Sequence, residues 1–122
     1  MKNLKIFGLL LFGIMFLASC EYELIEFEEP VINEEVSFAD DIIPIFSNSC
    51  VSCHGEGHWK VDLTPENAYV DLFAKGLINK DMPAESILYV VLTEPGGFHD
   101  GKTTPTEQFL ILTWIEEGAN DN

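Results

Sequence analysis

The chain has no arginine, and only 6 lysines stand against 21 acidic residues. Two of those lysines, Lys2 and Lys5, sit at the very start, and every acid follows Cys20. From Cys20 onward four lysines therefore face 21 acids, a net charge of −17. Such a surface cannot neutralise a phosphate backbone, which excludes nucleic acid as a partner. It favours a partner protein with a basic docking surface. Apolar and polar residues nowhere alternate over a strand's length, and no segment repeats. The longest apolar run, Ile6 to Ala18, falls short of the roughly 20 residues that a spanning helix needs. Cysteine is scarce: only Cys20, Cys50 and Cys53 occur in 122 residues, a length that suits one domain rather than two.

What is present begins with a leader. Met1 to Lys5 is short and positive, and Ile6 to Ala18 has the size of a signal-peptide apolar region. It ends in Leu17-Ala18-Ser19-Cys20, which resembles the lipobox of bacterial lipoproteins. That resemblance implies removal of residues 1–19 and lipid on Cys20, with a location in the cell envelope, on the periplasmic side or the cell surface. The alternative is an ordinary secretory signal cleaved near Ala18 or Ser19. Acyl chains at about 0.8 kcal/mol per buried CH₂ would hold the protein to a membrane. Residues 20–36 then form the lipidated Cys and an acidic linker. Seven glutamates lie between Glu21 and Glu35, and Pro30 and Asn33 interrupt regular structure. Like charges resist compaction, so an extended tether is expected. The acidic block also resembles the export signal of Bacteroidetes surface lipoproteins, although a solvated spacer explains it equally well.

Residues 37–122 read as one domain of short helices punctuated by Gly and Pro. Ser37 can cap a helix through Phe38, Ile42, Ile43 and Phe46, with Pro44 limiting its regularity. Thr64-Pro65-Glu66 starts a second helix, and Gly76 fits just past its end. Asp81 and Pro83 start a third through Ile87, Leu88, Val91 and Leu92, ended by Gly96-Gly97. Thr104-Pro105-Thr106-Glu107 is a capping box that opens the last helix, which stops at Gly118. The expected class is all-α. About 85 residues of short helices make a marginal core, and a large apolar cofactor would give each helix a common surface to bury against.

Cys50-Val51-Ser52-Cys53-His54 carries the chemistry. In a C-x-x-C-H sequence two thiols can add across the vinyl groups of haem, and the following His lies beneath the iron as an axial ligand. Other readings of the pair are a thioredoxin-like redox disulfide, a zinc site completed by His54 and His58, or a lone surface disulfide. The first needs strands, which are not evident, and the second lacks zinc-finger spacing.

The flanks strengthen the haem reading. Phe38 to Phe46 followed by Cys50 to Gly55 resembles the entry to a c-type cytochrome domain, as found in small haem modules of Planctomycetes and Bacteroidetes proteins. The similarity continues at Leu63, through Ser86-Ile87-Leu88-Tyr89, to Trp114 through Ala119, and covers about residues 37 to 122. It implies a small cytochrome c-like fold of about four short helices around one covalent haem c, with the first and last helices packed together. Cys50 and Cys53 would bind the haem, and His54 would be the proximal iron ligand.

The sequence departs from that family at the sixth ligand. Members commonly place Met-Pro in the loop before the last helix. Here Glu94 to Pro105 holds no methionine, and the only Met-Pro is Met82-Pro83, one helix earlier. His99 occupies the loop instead, among glycines, and is the proposed distal ligand, with Met82 the alternative and an open site the next. His58 reads as a surface residue or a neighbour of a haem propionate. Phe46, Trp59, Leu63, Phe73, Leu88, Leu92, Phe98 and Phe109 are candidates for the haem wall, or equally for ordinary core. No carboxylate pair is placed for general acid–base catalysis. The expected function is a one-electron carrier rather than an enzyme. The alternatives are a haem enzyme or gas sensor with an open sixth position, and a non-haem lipoprotein with a C-x-x-C disulfide or metal site.

Overall fold

In the computed structural model, which describes residues 30–32 and 34–122, the chain turns helical at Ser37. The leader 1–19, Cys20 and most of the acidic linker lie outside the described residues. Ser37 Oγ accepts the amide of Asp40 at 3.1 Å, as an N-cap does. A π-helical turn, Phe38–Ile42, runs straight into α1, Ile43–Ser49. Pro44 accounts for the wide turn. It has no N–H to return to Asp40, so the ladder loosens ahead of it. The Ile42 amide reaches back five residues to the Ser37 carbonyl, at 3.2 Å.

Helix α2 is Ala68–Ala74, which begins later than the Thr64-Pro65 signal implies. The carboxylate of Asp62 binds the Thr64 amide and hydroxyl and the Asn67 side chain, holding Thr64 to Asn67 in a turn that leads into the helix. Gly76 ends it as expected. Its φ is +66°, which lets the Leu77 amide reach the Leu72 carbonyl at 2.9 Å. The third expected helix is split into a 3₁₀ turn, Pro83–Glu85, and α3, Ile87–Thr93. The break falls at Ser86, which is fully buried; its hydroxyl is tied to the amide and carbonyl of Asn79. Pro95 ends α3 by holding Glu94 extended. The last helix, α4, Pro105–Glu116, opens on the capping box read from sequence. Thr104 Oγ1 accepts the Glu107 amide, and the Glu107 carboxylate accepts the Thr104 amide at 2.7 Å.

These elements make a small all-α fold of four short α-helices, with no strand among the described residues. Among the described residues, no helix is long and apolar enough to cross a membrane. Phe38 ties the first helical turn to α4 and α2: its ring lies 5.0 Å from that of Trp114 and 5.3 Å from that of Tyr69. Ile42, Phe46, Leu72, Ile111 and Ile115 are fully buried around them. Hydrogen bonds from the Val36 amide to Glu117 and from the Phe38 amide to Asn122, both 2.8 Å, clasp the first turn to the chain beyond α4. This packing leaves the end of α1, the segment after it and the α3–α4 loop on one side of the molecule, where they enclose a cavity.

Candidate functional site

Cys50 sits at the end of α1, its amide bonded to the Phe46 carbonyl at 2.8 Å. The chain then coils, with the amides of Cys53 and His54 both returning to the Cys50 carbonyl, at 3.0 and 2.8 Å. One turn therefore presents both thiols and the imidazole to the same wall of the cavity. Both cysteines are free, Cys50 partly buried and Cys53 exposed.

His54 Nδ1 lies 3.2 Å from the Val61 carbonyl. A carbonyl only accepts, so Nδ1 carries the proton and Nε2 keeps the lone pair. Burial pushes the His54 imidazole below its ordinary pKa; the Val61 bond opposes this, and the nearby charges of His58, His99 and Lys60 add to the lowering. The ring is thus held in the neutral form, which is the form that binds a metal.

Asp62 fixes the segment that positions Val61. It is buried, at 5% exposure, and its carboxylate accepts from the amides of Gly57 and Thr64, the Thr64 hydroxyl and the Asn67 side chain. These bonds, led by those from Thr64, lower its pKa to about 2. Asp62→Ala should therefore lower the melting temperature at neutral pH. Because the folded value lies below the ordinary 3.8, the wild-type advantage is full above that pH and is lost as pH falls toward 2. Melting curves of both proteins from neutral to acid pH check this; an advantage that stays constant throughout would contradict it.

The α3–α4 loop brings in the other imidazole. The rings of His54 and His99 lie 6.1 Å apart, centre to centre, with planes 29° from parallel. Met82 is not on the cavity wall; it caps the 3₁₀ turn and is half exposed. His58 meets His54 edge to face at 4.6 Å and accepts the Lys60 amide.

The cavity has a volume of about 280 Å³. A second hollow of about 280 Å³ shares Cys53, His54, Lys60, Phe98 and His99 with it and adds His58 and Trp59. The two hollows adjoin through these shared residues. Of the wall residues expected from sequence, Leu63, Leu88, Leu92 and Phe98 line the cavity and Trp59 lines the second hollow, whereas Phe46, Phe73 and Phe109 line neither. Sequence reasoning missed Leu72, Leu77, Ile87, Val91, Lys60 and Lys102. Ile87 and Val91 were within reach: they stand four apart on α3, beside the Leu88 and Leu92 pair. Nothing local marks Leu77 or the two lysines.

Burial, reinforced by the charges of Glu107 and Cys53, pushes the Cys50 thiol up to about 11. An activated redox cysteine is shifted the other way. Among the described residues no three His, Cys, Asp or Glu side chains are grouped to hold a metal ion by themselves. No family model matches the chain, and searches of curated proteins and of solved structures return no match.

Proposed function

We propose that this protein is a monohaem c-type cytochrome that carries one electron at a time in the cell envelope, tethered through lipid on Cys20. The observation that carries the reading is the pairing of His54 and His99 beside two free thiols in C-x-x-C-H register. His54 and His99 would hold the haem iron between them. Their rings lie 6.1 Å apart, centre to centre, at the shared cavity. The residues fit one haem c: Cys50 and Cys53 for the thioethers, His54 and His99 for the iron, and Leu63, Leu88 and Leu92 for the apolar wall. When bound, the haem supplies a one-electron couple at its iron. The Val61 carbonyl holds the His54 proton on Nδ1, and the Asp62 bonds keep that carbonyl in place. With His54 and His99 both holding the iron, no position would be left for a substrate, which favours a carrier over an enzyme.

A visible spectrum of protein matured with haem tests the function. The expected result is a six-coordinate, low-spin spectrum in both oxidation states. A five-coordinate, high-spin spectrum would favour the enzyme or sensor reading, and no Soret band the non-haem one.

Two further outcomes follow from the rest of the reading. Cys20→Ser should move the protein from the detergent phase to the aqueous phase, or leave it unprocessed. Phase partitioning of cell extracts measures this, and a mature-length variant that still partitions with detergent would overturn the anchor. Electron exchange with a basic partner should slow steeply between low and physiological salt, because a charge of −17 steers encounter only within a Debye length of about 8–10 Å. Stopped-flow rates across ionic strengths would show it, and rates indifferent to salt would point to docking through apolar surface.

A further inference from the structure

The two histidines are held very differently. His54 belongs to a segment cross-tied to the rest of the chain. Its Nδ1 faces the Val61 carbonyl, its own carbonyl accepts the Leu63 amide at 2.9 Å, and the Asp62 amide reaches Asp71 at 2.7 Å. His99 rides on a loop tied only to itself. The Gly97 amide bonds the Glu94 carbonyl, the Asp100 amide bonds the Gly97 carbonyl and the Lys102 amide bonds the His99 carbonyl, at 3.0 to 3.1 Å. The Gly96 amide bonds the Asp100 carboxylate at 2.9 Å. Among the described residues, no hydrogen bond joins residues 95–101 to anything outside Glu94 to Lys102.

The loop's apolar anchorage is weak as well. Phe98, its largest apolar side chain, is 86% exposed. Gly96 and Gly101 frame His99 with φ of +72° and +71°, and a Cβ at either would meet nothing within 4 Å. They serve the backbone conformation rather than a close contact. A segment bonded only to itself can open as one unit while the helices stay folded.

We infer that this loop is a hinged carrier for His99, whose withdrawal opens one face of the cavity to a small uncharged diatomic ligand of the haem iron, such as carbon monoxide. The inference rests on the bis-histidine haem reading given above. Ile87, Leu88, Val91 and Leu92 give the cavity an apolar wall suited to an uncharged molecule. The loop-open state is a minor population of the resting protein, and the ligand draws on it.

The test is rapid mixing of the haem-loaded, ferrous full-length protein with carbon monoxide, beside His99→Ala and Gly101→Ala. The wild-type rate should level off as carbon monoxide increases, because departure of His99 becomes limiting. In His99→Ala it should rise in proportion, with no plateau. Gly101→Ala strains the closed loop at positive φ without a clash, so its plateau should be roughly five- to thirtyfold higher. Amide exchange of the same loaded protein should show residues 96–102 exchanging together, ahead of α3 and α4. A low-spin protein that refuses carbon monoxide, a plateau unmoved by Gly101→Ala, or loop amides as protected as the helices would overturn the hinge and leave the haem reading intact. A chain that takes up no haem, or that stays low-spin in His99→Ala, would overturn the reading and the hinge together.

Discussion

Haem should stay on the wild-type chain through denaturing electrophoresis and disappear to background from the Cys50→Ala/Cys53→Ala double variant. Thioether bonds from Cys50 and Cys53 would be covalent, so unfolding the protein would not release the group, whereas an iron–imidazole bond alone would not survive detergent and heat. Each single variant should retain stain through its remaining thioether. The geometry supports this graded outcome, because Cys50 and Cys53 are both free and lie on one turn that also presents His54. The raised pKa of Cys50, about 11 and caused first by burial, keeps that thiol protonated in the folded chain, where a thiolate nucleophile would be scarce. Haem-dependent peroxidase staining of the four proteins reads this graded loss. Extraction of the haem from wild type by acidified organic solvent would sink the covalent assignment.

His99→Ala should convert the haem of the loaded protein from low spin to high spin almost completely, while Met82→Ala should leave its spectrum unchanged. The argument is positional. His99 lies 6.1 Å from His54 at a shared cavity, and Met82 is half exposed at a turn that does not line it. Thioether ligation raises a haem potential relative to imidazole. The wild type should thus be a low-potential carrier, and His99→Met should raise its potential within the roughly 0.8 V range that axial ligands command. The oxidised wild type should also lack the weak red band of a methionine–iron bond. If that band is present and vanishes in Met82→Ala, Met82 is the ligand and His99 is not.

Local signals in the sequence located most helix ends because their physics is local. The capping box at Thr104 and Glu107, the αL position at Gly76 and the cap at Ser37 each satisfy orphan amides or carbonyls within a few residues. The same holds for Cys50, Cys53 and His54, whose chemistry depends on spacing within a single turn. Two boundaries escaped for one reason: the side chains that set them act across loops. Asp62 holds the turn ahead of α2 from outside it, and Ser86 splits the third helical stretch by reaching back to Asn79.

Composition and short spacing therefore determined that this is a small, acidic, helical protein with a C-x-x-C-H turn, since each of those properties is carried by neighbours in the chain. Only the tertiary structure brings His99, and not Met82, to the cavity that His54 lines. The distance of Met82 from His54 depends on how α2 packs, and that of His99 on α2 and α3 together; no local pattern records that packing. The cavity wall was settled the same way: Leu72, Leu77 and Val91 come from three separate segments. Each looks like ordinary core until the folded chain sets them around one space.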